Sequence, residues 1–147
     1  MKKITLLLLT FLYSSLSYGQ YLSEGFESST SLPDNWVLTQ TNTSETWEIS
    51  TTTANNGTNG ATVQYGYSQD ETLTSPSIDL SSATNPRLVF YWSMSYYWSV
   101  DPYNNYDFIV IIDDGTNVTQ LFTEADAGTF SSYTWYEQII DLSAYVG

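Results

Sequence analysis

The sequence predicts an all-β fold of two antiparallel sheets packed face to face, and three observations carry that expectation. Apolar and polar residues alternate in short runs, no long segment repeats with the 3.6-residue period of a helix, and Pro, Asn-Gly and Asp-Gly punctuation separates the runs.

Taken in chain order, the expected strands are Gly25–Phe26 with its flanks, Trp36–Thr41, Thr46–Thr51, Ala61–Tyr67, Glu71–Ser75, Arg87–Trp98, Asp107–Asp113, Val118–Glu124 and Thr134–Asp141. Pro33-Asp34-Asn35, Asn56-Gly57, Asn59-Gly60, Pro76, Pro86, Asp101-Pro102 and Asp114-Gly115 lie between them. Each supplies a fixed φ or a tolerance of positive φ where the chain reverses. In the longest run Leu88, Phe90, Trp92, Met94, Tyr96 and Trp98 fall on one face, which is expected to be core, and Val89, Tyr91, Ser93, Ser95, Tyr97 and Ser99 on the other. "DFIVIID", residues 107–113, is apolar on both faces, as a central strand covered on each side requires. "DDGTN", residues 113–117, lacks the further ligand spacing of an EF-hand and sits between two strand patterns, so it reads as a hairpin turn.

The chain opens with Lys2 and Lys3, an apolar run from Ile4 to about Tyr13, and small residues Ser17 and Gly19 placed for a cut before Gln20. This predicts a secretory signal peptide over residues 1–19, since a membrane anchor needs ~20 apolar residues. Residues 20–147 then form one domain, secreted or displayed at the cell surface, with no membrane insertion after cleavage. Cysteine is absent, so disulfides are excluded, and an exported domain must be held by its core, by metal, or by both. Removal of the signal leaves Arg87 as the only basic side chain against 16 acidic ones, a balance that repels nucleic acid and attracts cations.

Four stretches, "SEGFESSTSLPDNW" (23–36), "TSPSIDLSSATNPRLVFYW" (74–92), "YDFIVIIDDG" (106–115) and "WYEQIIDLSAYVG" (135–147), together resemble in order the landmarks of the choice-of-anchor J or cleaved-adhesin family. The resemblance implies a jelly-roll β-sandwich related to MAM-type domains, in proteins secreted by Bacteroidetes-like bacteria. Family members continue past the equivalent of "DLSAYVG" with two further strands, so the chain is expected to be a C-terminally truncated module that lacks its closing strands.

Without histidine or cysteine, Ser-His-Asp and Cys-His nucleophile pairs and the usual zinc and copper sites are excluded. Phosphate clamps and Schiff-base chemistry have no lysine to use after signal removal. Carboxylate chemistry remains, but no spacing singles out the paired acids of a glycosidase, so the chain is not expected to be an enzyme. Calcium suits the carboxylates better, since it takes six to eight oxygen ligands. The resemblance implies a structural calcium held between the first and last strands, with Glu27 as ligand and Glu24 second. Equally, both can be ordinary solvated residues of an edge strand.

The aromatic run "YWSMSYYWSVDPYNNY", residues 91–106, offers rings beside Asp and Asn, the combination that stacks on a sugar's C–H face and hydrogen-bonds its hydroxyls. Trp92, Tyr96 and Trp98 are expected in the core, and Tyr91, Tyr97, Tyr103 and Tyr106 are the expected ligand-binding residues. The functional expectation is a non-catalytic extracellular module of a larger secreted protein, binding a cell-surface or extracellular glycan or protein. The alternatives are a calcium-stabilised structural spacer of a secreted enzyme and, less favoured, a glycoside hydrolase.

Overall fold

The computed structural model describes residues 21–146, and the expected signal peptide lies outside them. The described chain is broadly all-β. Its strands are β1 (Val37–Thr39), β2 (Glu48–Ser50), β3 (Gly60–Thr62), β4 (Thr72–Thr74), β5 (Arg87–Trp92), β6 (Ile109–Asp113), β7 (Val118–Thr123) and β8 (Tyr136–Asp141). One helical turn, α1 (Tyr96–Ser99), follows β5, and short 3-10 turns span Glu124–Ala127 and Ser143–Tyr145.

The strands pair as four antiparallel ribbons, β1 with β4, β2 with β3, β5 with β8 and β6 with β7. In the β5–β8 ribbon Leu88 opposes Ile140, Phe90 opposes Gln138 and Trp92 opposes Tyr136. Their neighbours Val89, Tyr91 and Ile139 lie on the other face and are exposed, so the period-2 pattern of the sequence is realised here. Val110 of β6 and Phe122 of β7 bring the second ribbon to the same centre, where Trp92, Phe122 and Phe130 are buried and Phe90, Phe108, Tyr136 and Ile140 pack around them. Ring centroids of 4.9 Å for Trp92–Phe130 and 5.6 Å for Trp92–Phe122, both steeply inclined, are favourable edge-to-face geometry.

Three elements differ from expectation. The expected strand over 87–98 ends at Trp92. Ser95 caps a helical turn instead, its hydroxyl accepting from Trp98 N–H at 3.4 Å, while the Ser99 hydroxyl donates to Ser95 O at 2.8 Å. Serine hydroxyls offer the backbone a local alternative to the ladder, and that competition wins here. Trp98, expected in the core, is consequently exposed, whereas Trp92 is buried and Tyr96 half-buried. Second, β6 pairs only with β7 among the described residues, and Ile109 and Ile111 are exposed, so the strand is not covered on both faces. Third, no strand forms at Gly25–Phe26. Phe26 takes φ 61°, and its N–H donates to the Glu24 carboxylate, a local turn in place of a ladder.

The Asp113–Asn117 segment is the expected turn. Asp113 Oδ1 accepts from Gly115 N–H at 2.8 Å, and Asp114 Oδ1 accepts from Thr116 and Asn117 N–H at 2.8 and 2.7 Å. These side chains cap the turn's own backbone and join β6 to β7.

Candidate functional site

The four expected ligand-binding tyrosines are distributed over three places. Tyr91 stands on the outer face of β5, where its hydroxyl donates to Glu137 Oε1 at 2.7 Å across the strand pair. Tyr106 is half-buried, contrary to its expected accessibility, with its ring 5.6 Å from that of Tyr65. Only Tyr97 and Tyr103 come together, and they do so around a residue assigned to the core on sequence grounds, Trp98.

The Tyr97, Trp98 and Tyr103 rings form a closed triangle, with centroid separations of 4.8 Å (Tyr97–Trp98), 4.9 Å (Tyr97–Tyr103) and 4.7 Å (Trp98–Tyr103). All three stay 43–49% exposed. Local chemistry builds the triangle. The Ser95 cap fixes the direction of α1, which carries Tyr97 and Trp98, and Asn105 N–H donates to Trp98 O at 2.8 Å, folding residues 99–104 back so that Tyr103 meets both rings. A hydrogen bond with Tyr103, followed by desolvation, raises the Tyr97 phenol above its ordinary range. The cluster presents phenolic hydroxyls and ring faces to solvent. Such a surface can stack on the apolar face of a sugar or on an apolar side chain. Period-2 counting hid Trp98. Its signal was the Ser95–Ser99 pair, with hydroxyls spaced to cap and close one helical turn.

Glu27 and Glu24, the expected calcium ligands, occupy different settings. The Glu27 carboxylate accepts from Asn59 N–H at 2.9 Å, from Thr58 N–H at 3.0 Å and from the Thr58 hydroxyl at 2.8 Å. Those bonds, that to Asn59 foremost and then those to Thr58, hold its pKa below the ordinary carboxylate value. Gly57, at φ 81°, makes the approach possible, since a Cβ there would strike the Glu27 carboxylate. Glu24 turns back to Phe26 N–H. Among the described residues no group of three or more acidic side chains converges as a metal cage.

A residue that sequence reading did not single out is Glu124, which is 1% exposed. Its Oε2 accepts from Phe108 N–H at 2.7 Å, and burial pushes its pKa above the ordinary value despite that bond. A capping box at Thr123 and Asp126 holds the 3-10 turn that points it inward. The nearby charge of Asp107 raises its pKa further.

Compared with protein-family models, with curated proteins and with solved structures, the chain matches none.

Proposed function

We propose that this chain is a non-catalytic extracellular binding module of a larger secreted protein, and that it adheres to carbohydrate surfaces through the Tyr97–Trp98–Tyr103 triangle. The observation that carries the reading is three large rings in mutual contact yet nearly half exposed, an arrangement that leaves apolar area in water without a partner among the described residues. The leader-like first 19 residues, the acidic balance and the four-stretch resemblance to the cleaved-adhesin family support export and adhesion. A jelly-roll sandwich is the architecture that fits two ribbons sharing one aromatic core.

The test is retention on a panel of insoluble polysaccharides and arrayed glycans. Trp98→Ala and Tyr103→Ala are expected to abolish retention, while Tyr91→Phe keeps it. Retention untouched by both ring deletions overturns the assignment of the triangle.

The calcium-stabilised spacer is a second reading, favoured by the position of Glu27 at the joint between the N-terminal segment and the loop at 57–59. Calcium there would take over the carboxylate from Thr58 and Asn59 and stabilise the folded state by binding it selectively. A melting temperature that rises by several degrees with calcium, and loses that rise in Glu27→Gln, supports the spacer. An unchanged melting temperature leaves Glu27 as a hydrogen-bonded staple.

A further inference from the structure

Behind the helical turn that carries the ring triangle lies a cleft of about 410 Å³. The β2–β3 ribbon and the segment that joins its strands contribute Thr52, Thr53 and Thr62, and the opposite side contributes Tyr106, Tyr133 and Trp135. Ser95, the cap of α1, also lines it.

Its lining is unusual for this chain. The sequence has 16 acidic residues, yet none of the residues lining the cleft carries a charge. What they offer is aliphatic and phenolic hydroxyls beside aromatic faces. A cation finds no carboxylate there and an anion finds no basic group, with the buried Glu124 close enough to Tyr106 to act on its phenol. The size falls within the ~300–1,000 Å³ range of small-molecule sites. Neutral donors and acceptors around ring faces match a ligand that is itself neutral, hydroxylated and apolar on one face.

The cleft is also built rather than incidental. Tyr133 takes φ 59°, its N–H donates to Met94 O at 2.8 Å, and the residue is 72% exposed at the cleft. A non-glycine residue in that conformation is strained and persists only where the surroundings impose it. On the other side, Gly60 lets the 52–54 segment close in, since a Cβ at Gly60 would run into Thr53 O. Tyr106 is steadied by the Tyr65 ring. Burial, foremost, raises the Tyr106 phenol above its ordinary value.

We infer that this cleft is a second, separate binding site that takes a neutral pyranose unit, stacked against Tyr133 and Trp135 and hydrogen-bonded by Thr52, Thr53 and Tyr106. It shares with the proposed function only the class of ligand and uses none of the triangle's rings. A chain carrying both would grip a polysaccharide surface and a single sugar unit independently.

The test uses the full chain and follows its five tryptophan indole N–H signals by NMR while cellotriose or mannotriose is added, with trigalacturonic acid as charged control. A neutral trisaccharide is expected to move the Trp135 signal, and trigalacturonic acid is not. Tyr133→Ala should weaken the neutral probe's effect on the Trp135 signal by about two- to tenfold, the scale of one aromatic contact, and Tyr91→Phe, which lies in neither site, should leave it unchanged. Thr53→Val gives a second, conservative reading should Tyr133→Ala lower the melting temperature. The inference is overturned if no neutral probe moves Trp135, if trigalacturonic acid moves it equally, or if neither cleft variant weakens binding. Shifts confined to Trp98 would sink the cleft and leave the triangle standing; shifts at Trp135 with no retention on polysaccharide surfaces would do the reverse.

Discussion

The two halves of the domain are held together by different chemistry. Between Phe90 and Ile140, long strands bring rings into one cluster in which Trp92, Phe122 and Phe130 are buried. Between Phe26 and Thr74 the strands are three residues each, and Ile49 is the buried hydrophobic side chain. There carboxylates supply many of the tertiary ties, beside the amides of Asn59 and Gln69. Glu27 holds Thr58 and Asn59, and Glu71 accepts from Thr41 N–H and Asn42 N–H at 2.7 Å and from the Thr46 hydroxyl at 2.5 Å. In a chain without cysteine the acidic side chains take on part of the stapling that disulfides supply elsewhere. Hydrogen bonds near the surface can open one at a time, whereas an aromatic core opens as a unit, so the halves should differ in local stability.

The largest break is expected from Phe122→Ala. Its ring meets Phe90, Trp92 and Phe108 at centroid distances of 5.7, 5.6 and 6.4 Å, and truncation of a buried Phe costs about 3–5 kcal/mol. Denaturant unfolding should show a loss of that size. A loss under about 1 kcal/mol would mean that the cluster collapses around the gap and is not the centre of the fold.

Native-state hydrogen exchange sharpens the contrast directly. Amides of β5 to β8 should exchange with the global unfolding free energy, and those of β1 to β4 faster, through local opening. Uniform protection across both halves would abolish the distinction.

Two carboxylates, one in each half, carry pH dependences of opposite sign. Desolvation opposes it, but the hydrogen bonds from Thr46, Asn42 and Thr41 lower the Glu71 pKa to about 2. Its contribution is therefore present above the ordinary glutamate value of 4.5, which the unfolded chain keeps, and is lost as pH falls from there through about 2. Glu124 runs the other way. Its pKa is raised by burial, so its contribution is complete below 4.5 and is lost as pH rises through the higher folded value. Acidification should loosen the N-terminal half first. The Trp47 indole, whose Nε1–H donates to Glu71 O at 3.0 Å, should shift before that of Trp92 in an NMR titration. Glu71→Gln should flatten the acid limb, and Glu124→Gln the limb above it. Simultaneous shifts of both indoles would mean that one cooperative unit responds to acid.

Much of this division could be read from the sequence, and the reasons for the rest are local. Leu88, Phe90 and Trp92 alternate with Val89 and Tyr91 as a half-buried strand demands, so the inner face of β5 was legible. Past Trp92 the same alternation continues into Trp98, and only the Ser95 and Ser99 hydroxyls turn the backbone away from it, which placed Trp98 inside on paper and outside in the fold. Tyr106 shows the converse. Nothing within its own segment indicates the contact with Tyr65, far earlier in the chain. Glu71 and Glu124 were equally hidden, because the donors that lower one and the burial that raises the other come from distant segments. Carboxylate roles are tertiary properties, and composition gives only their number.

The smallest effect should come from Tyr91→Phe, and its smallness bears on the comparison. The Tyr91 hydroxyl donates to Glu137 Oε1 at 2.7 Å between directly opposed residues, good geometry for a cross-strand pair. Yet both groups stand in water, where the hydroxyl's alternative partner is solvent and salt screens the carboxylate. The bond still leaves a signature, since the Tyr91 phenol is raised above its ordinary range, first by the hydrogen bond and then by the charge of Glu137. Glu137→Gln should bring the Tyr91 ring-carbon titration back toward that range while the unfolding midpoint stays put, and Tyr91→Phe should leave the midpoint equally unmoved. A midpoint that falls as it does for Glu71→Gln would show that exposed hydrogen bonds secure the C-terminal half as well, and the contrast between a packed half and a stapled half would fail.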